Sequence, residues 1–439
     1  MKKIKRRAYS ALLIAGMLII GMVIYLLRLA DDGEAWATFR ANRTVYHNGV
    51  LNVGTVYDRN GKILAHAGNG VHGYAEDWST RISSLHVVGD YAGNIGMGAI
   101  NAFSGELVNY SFINGTYSPD GTGGKVTLSI DSKLNITAYN ALAGRKGAVC
   151  VYNYETGEIL CMVSSPSYDP NGSPPTGVDG IYLNRALGST YTPGSVFKIV
   201  TLAAAIENIS DLNSRSFSCS GSVQVGGNTV TCSGWHGSQT IEQAFANSCN
   251  CAFAELSLEL GANTLYKYAN DYGLLSSLDC SGINTAAGSF EKAEAGSSNL
   301  AWSGIGQYND LVSPFSMMRL SGAIASGGSA VDPTLLIKSG PFNFSPDSEK
   351  LIKSSTAKRL GEMMSYNVTY SYGTWNFPGL DLCAKTGTAE VGSGNSHSWF
   401  TGYLKSGKPL AFAVIVENGG SGLSAAGGVA NTVLQEAVK

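Results

Sequence analysis

The chain has 439 residues, and 30 basic against 32 acidic side chains leave it near neutral, which excludes a nucleic-acid partner drawn by a basic field. Only 14% of residues are charged, 44% are hydrophobic and 55 are glycine, which excludes disorder and leaves room for two or three loop-rich domains around a sizeable core. Lys2, Lys3, Lys5, Arg6 and Arg7 precede an uncharged stretch from Ala8 to Leu27. About twenty apolar residues cross a bilayer as a helix. Arg28 follows with no cleavage motif, so residues 1–30 read as a basic tail and an uncleaved anchor rather than a signal peptide. The basic cluster sets the N-terminus in the cytoplasm and everything after about residue 30 outside.

Residues 31–125 read as a small β-rich module. "NVGTVYDRNGKILAHAG" is strand, turn, strand about Asn60-Gly61. Gly-rich sequence continues to Gly124 without a helical period. Residues 126–439 open with "SKLNITAYNALAG", a helix ending near Gly144, and "GAVCVYNYETGEILCMVSSP", a hairpin of two core strands. A Pro/Gly/Ser-rich loop leads to "YTPGSVFKIVTLAAAIEN", whose helix starts at Ser195. "QTIEQAFANSCNCAFAELSLELG" reads as two helical pieces, broken near Asn247–Asn250 and ending at Gly261. "DLCAKTGTAEVG", "SWFTGYL" and "PLAFAVIVENG" are three strands, and "GVANTVLQEAV" is a closing helix. Strands at both ends with helices between them imply an α+β domain: a mixed sheet whose first and last segments meet, with a helical cluster on one face.

All eight cysteines follow the anchor, where disulfides are permitted. Cys150 and Cys161 flank a hairpin turn and could face each other, and Cys219 and Cys232 bracket a Gly-rich loop and could also pair; the sequence does not fix the pairing. No Cys-x-x-Cys occurs and the six histidines are scattered, so no metal site is expected.

The helix after Ser195 is apolar nearly all round, and such helices are buried. Lys198 is therefore a dehydrated lysine without a carboxylate within a turn, a setting that favours the neutral amine. Spaced three apart, Ser195 and Lys198 share a helical face, and the helix start supplies N–H groups suited to an oxyanion. Ser195 thus reads either as a helix cap or as a nucleophile with a lysine base. Ser-x-x-Lys alone does not decide, because Ser289/Lys292 and Ser355/Lys358 match it in charged, solvated segments. Two more short motifs complete an ordered set. Ser248-Cys249-Asn250 lies at the helix break and Lys385-Thr386-Gly387-Thr388 on a strand. Isolated copies are common: Ser-x-Asn at Ser297, Ser365 and Ser393, Lys-Ser-Gly at Lys338 and Lys405.

Together, Ser-x-x-Lys, Ser-x-Asn and Lys-Thr-Gly resemble the motif set of penicillin-binding proteins and serine β-lactamases. The flanks "YTPGSVFK", "GIGQ", "AKTGTAEVGSG" and "SWFTGYL" resemble the transpeptidase domain of class B penicillin-binding proteins, and "GTVYDRNGKILA" that class's pedestal, with Val53 where the family has arginine. The resemblance covers residues 50–435 and implies a peptidoglycan D,D-transpeptidase, anchored in the membrane and acting outside it on stem peptides through a serine acyl-enzyme. It implies Ser195 as nucleophile, Lys198 as base, Ser248 and Lys385 as proton relay, and Asn250 as holder of Lys198. It also implies substrate binding by Thr386, Gly387 and Thr388, no cofactor, covalent inhibition by β-lactams, and a SEDS-type membrane glycosyltransferase as partner. The alternatives are a β-lactamase or β-lactam sensor, or a scaffold that mainly activates the polymerase. His397 and Trp399 either line the cleft or pack the strand, and His236 reads as structural.

Overall fold

The computed structural model describes residues 2–439 except 40, 44, 48, 114, 116–121, 338–346 and 393. Ser393 and Lys338, which start two of the motif copies, lie outside the described residues. The helix Lys2–Ala37 is long and apolar enough to cross a membrane, and Leu12, Leu18 and Leu27 on it stand exposed.

Gly54–Tyr57 and Ile63–Gly68 form the expected hairpin. Asp58 closes its turn by accepting from the N–H groups of Asn60 (2.9 Å) and Lys62 (2.8 Å), while Gly61 takes φ +80°. Val71–Tyr74 adds one strand, and Lys125–Thr127 pairs parallel with Gly54–Tyr57, so this sheet spans residue 125. The module also holds a helix that the sequence reading lacked, Trp78–Val88, capped by Asp77 accepting from the Thr80 N–H. Its buried face carries Ser83, Ser84 and His86 among the apolar residues, which dilutes the helical period.

The second region is built on a five-stranded sheet in the order 382–389, 397–404, 410–416, 147–153, 159–165. All four pairings are antiparallel, so mixed pairing is confined to the smaller sheet. Short turns within the hairpin and the three-strand meander dictate that geometry. The first and last strands of the region do meet, Leu410–Val416 lying beside Gly147–Asn153.

Alternation sorts the strand residues between two cores. Val149, Val151 and Cys161 face the helices Ser132–Leu142 and Gly428–Ala437. Ala148, Cys150 and Tyr152 face the central cluster, which contains Phe197, Ile199 and Leu202. Cys150 and Cys161 therefore lie on opposite faces and do not take up the pairing open to them: Cys150 stands opposite Met162 and Cys161 opposite Val151.

The helix Lys198–Asn208 is buried at every position from Lys198 to Ala205. It begins one turn later than the sequence suggests, because Gly194–Phe197 is a 3₁₀ turn. The two pieces after Thr240 are Ile241–Ala246, with a capping box of Thr240 and Gln243, and Asn250–Asp271, which continues beyond a kink at Gly261 (φ +76°) instead of ending there.

Candidate active site

Four segments converge on the 3₁₀ turn. Gly194 takes φ +55° and its N–H donates to the Gly306 carbonyl (2.7 Å), so "GIGQ" buttresses the turn from one side. Gly306 itself lies at φ +86°, and a Cβ there would collide with the Gly194 carbonyl. From the other side the strand Leu382–Ala389 presses in. A Cβ on Gly387 would stand 2.9 Å from the Pro193 carbonyl and 3.0 Å from Val196 Cγ1, which explains glycine in Lys-Thr-Gly. Trp399, fully buried, donates its indole N–H to the Thr192 carbonyl (3.0 Å), and His397 packs edge-on against Tyr191 and accepts from the Asn418 N–H (3.1 Å). Both therefore act as packing for the turn. Gly306→Ala is expected to cost about 1–3 kcal/mol through forced φ and collision, read as a lower unfolding midpoint of the full chain.

Ser195 is only partly buried, and among the described residues its hydroxyl makes no capping hydrogen bond. Lys198 Nζ does not bond to it in this state either. It donates to the Ser248 carbonyl (2.6 Å), to Asn250 Oδ1 (2.7 Å) and toward Ser248 Oγ (3.3 Å). The first two partners only accept, so the two N–H groups of a neutral amine satisfy them and its lone pair stays free. Burial pulls the Lys198 pKa down to about 8 against the opposing influence of Cys232, Cys249 and Cys251. Lys385, equally buried, donates to Ser248 Oγ (2.9 Å) and to the Thr386 carbonyl (3.0 Å). Burial first, and the charge of Lys198 second, hold it well below the ordinary lysine range. Among the described residues neither lysine pairs with a carboxylate. Ser248, at φ +53° between two helices, thus has its hydroxyl between both amines.

Asn250 is fixed by its own amide, which donates to the Thr231 carbonyl (2.8 Å). Thr386 and Thr388 alternate along the strand with Gly387, Thr388 exposed and Thr386 half-buried. The expected site residues Ser195, Lys198, Ser248, Asn250, Lys385, Thr386, Gly387 and Thr388 are thereby gathered in one place. The competing copies are not: Ser289/Lys292 lies on a loop with Lys292 exposed over the Tyr266 ring, Ser355/Lys358 is exposed on a helix, and Ser297 caps another helix.

Sequence reasoning missed two contributors outright and touched another only as part of a longer motif. Tyr372 Oη accepts from the Thr386 N–H (3.1 Å) and bonds the Thr386 hydroxyl (3.2 Å), and nothing in "TYSYGTW" marks it. Gly306 was visible only through "GIGQ". The third is a cluster of Cys219, Cys232, His236 and Cys249, whose sulfur and ring-nitrogen atoms lie within 4.8 Å of one another. The expectation of no metal site rested on the lack of a Cys-x-x-Cys and on scattered histidines, and the fold nevertheless brings these four side chains together. These side chains come from the hairpin Phe217–Val225 with Asn228–Gln239, whose second strand carries both Cys232 and His236, and from the Ser248–Asn250 loop. The simple Cys219–Cys232 pairing is not taken up: both thiols are free, and Cys232 Sγ lies 3.9 Å from Cys249 Sγ.

An antiparallel sheet with a buried helical cluster on one face and three motifs meeting at its edge strand defines the penicillin-binding transpeptidase class of fold. Residues 147–439 match the family model for the penicillin binding protein transpeptidase domain, and the chain belongs to that family. It is 29% identical over 360 residues to peptidoglycan D,D-transpeptidase PbpA of Mycobacterium tuberculosis, covering 73% of this chain and 72% of that one. The D,D-transpeptidase domain of a peptidoglycan glycosyltransferase from Eggerthella lenta superposes with a TM-score of 0.74 at 30% identity, over 88% of this chain and 97% of the other. The penicillin G acyl-enzyme complex of penicillin-binding protein A from M. tuberculosis gives a TM-score of 0.74 at 25% identity, over 88% of this chain and the whole (100%) of that one.

Proposed function

We propose that this protein is a membrane-anchored peptidoglycan D,D-transpeptidase that cross-links stem peptides through an acyl-enzyme on Ser195 and is inhibited by β-lactams acylating the same hydroxyl. The observation that carries the reading is the Ser248 hydroxyl set between two fully buried lysines, 3.3 Å from Lys198 Nζ and 2.9 Å from Lys385 Nζ, beside the Ser195 turn.

Ser195 Oγ attacks the carbonyl between the two terminal D-alanines and gives its proton to neutral Lys198. Lys198 passes a proton through Ser248, steadied by Lys385, to the nitrogen of the departing D-alanine. An amine of a second stem peptide then attacks the ester, its proton returns by the same relay, and Ser195 leaves as the free hydroxyl. Lys198 comes within reach of Ser195 as the bound complex tightens, as catalytic hydrogen bonds in ligand-free enzymes commonly do. The N–H of Ser195, at the start of its turn, and the N–H of Thr388 receive the oxyanion. Thr386 and Thr388, beside Lys385, take the terminal carboxylate.

The basic residues before the anchor favour a cytoplasmic N-terminus and a catalytic domain on the outer side. The anchor and the β-rich module offer the contacts for a SEDS-type glycosyltransferase. The test of activity is a synthetic stem peptide ending in D-Ala–D-Ala with an amine acceptor. The full chain in detergent should release one D-alanine per cross-link formed. D-alanine released with no acceptor incorporated, or rapid turnover of nitrocefin instead of a single stoichiometric burst, would replace this reading with a hydrolase.

A further inference from the structure

The loop that presents Ser248 and Asn250 runs through sulfur. Cys249 lies between them and Cys251 follows. Against this loop the hairpin sets Cys219 on one strand and Cys232 and His236 on the other. Cys232 Sγ is 3.9 Å from Cys249 Sγ and 3.6 Å from His236 Nδ1, and Cys219 Sγ is 3.6 Å from Cys251 Sγ. A disulfide needs its sulfurs about 2.0 Å apart. Ligands at about 2.3 Å from a tetrahedral ion stand about 3.8 Å from each other. The Cys232–Cys249 and Cys232–His236 spacings fit the ion, and Cys219 belongs to the same group, all of whose ligand atoms lie within 4.8 Å of one another. The hydrogen bonding fits too: the Asn250 N–H donates to Cys232 Sγ (3.2 Å), the kind of contact that stabilises a thiolate. Three thiolates and one imidazole in a tetrahedral arrangement are the ligand set of structural zinc.

We propose that Cys219, Cys232, Cys249 and His236 hold one Zn²⁺ and that this ion fixes the loop carrying Ser248 and Asn250. On binding, the three thiols release their protons to water and the neutral imidazole gives its lone pair, leaving a site of net charge −1. Two adjacent features give the ion its consequence. Cys249 lies within the Ser-x-Asn motif, and the Asn250 backbone sits on Cys232 while its side chain holds Lys198. The ion thus acts by positioning, and this second half of the inference rests on the transpeptidase reading above. Cys251 is the nearest further sulfur and lies outside the ligand set.

The full chain, purified in detergent without added metal, should contain about one zinc per molecule by inductively coupled plasma mass spectrometry. Exchange for cobalt should give the near-ultraviolet thiolate-to-cobalt absorption of a tetrahedral site. Cys232→Ser with Cys249→Ser should drop zinc below about a tenth of an equivalent, His236→Ala should weaken zinc affinity about 10–100-fold, and Cys251→Ser should leave content unchanged. Stripping zinc from the wild type should slow fluorescent-penicillin labelling at least about tenfold, with recovery on adding zinc back. Wild-type protein without stoichiometric metal, whose thiols are alkylated in the native state or found as disulfides by intact mass, would overturn the site. Stoichiometric zinc with labelling unmoved by its removal would overturn the positioning role. Zinc-loaded wild type that penicillin never labels would instead fault the transpeptidase reading, because metal content is read independently.

Discussion

Lys198→Met should lower the second-order rate constant for penicillin acylation by about 10²–10⁴-fold, the range for losing a positioned general base. Methionine fills a similar volume in the fully buried site, so the helix Lys198–Asn208 keeps its packing. What is lost is the amine that reaches both Ser248 and Asn250 from beside the Ser195 turn. The pH dependence supplies an independent sign. Lys198 accepts a proton only when neutral, and burial holds its pKa at about 8. Wild-type acylation should therefore fall about tenfold per unit as pH drops below 8 and level off above it. The groups facing this amine are Lys385, whose charge would press the pKa lower, and Cys232, Cys249 and Cys251, whose charge would raise it. The methionine variant's residual labelling should be flat across the same range. A variant that keeps the wild-type profile would transfer the base to another group.

The second large effect is shared between two residues. Ser248→Ala and Lys385→Met should each slow acylation by about 10²–10³-fold, and the double variant should be little slower than either single one. The reason is geometric: Lys385 reaches the chemistry through the Ser248 hydroxyl (2.9 Å), so Ser248→Ala leaves it nothing to steady, and Lys385→Met leaves the hydroxyl that relays from Lys198 unsteadied. Additive losses would mean that the two act separately, with Lys385 serving the carboxylate alone. Stopped-flow labelling of the four proteins closes this cycle.

Much of this was legible before the structure. The buried state of Lys198 followed from the apolar ring around it, and the break that carries Ser248 followed from "NSCN" between two helical periods. The three motifs needed one another to be read: Ser355/Lys358 and Ser195/Lys198 are alike as strings, and only packing separates an exposed helix from a buried turn. What stayed hidden depends on contacts distant in sequence. The expected Lys198–Ser195 contact gave way to Ser248 and Asn250 because a buried amine takes the strongest acceptors in reach. The Cys150–Cys161 pairing was not taken up because a turn fixes which residues stand opposite only once its bulge is known, and the register shifts between Val151 and Tyr152. The sulfur cluster was invisible because its members come from a hairpin and a loop with no shared spacing motif. The helix Trp78–Val88 was obscured by serines on its buried side.

The central claim is that Ser195 is the acylated nucleophile. The direct measurement is intact and peptide mass spectrometry of the full chain after brief treatment with benzylpenicillin, beside Ser195→Ala. The account predicts one penicilloyl adduct per wild-type chain, located on the peptide containing Ser195, and none on the variant. An adduct on another residue, or equal labelling of both proteins, would contradict it.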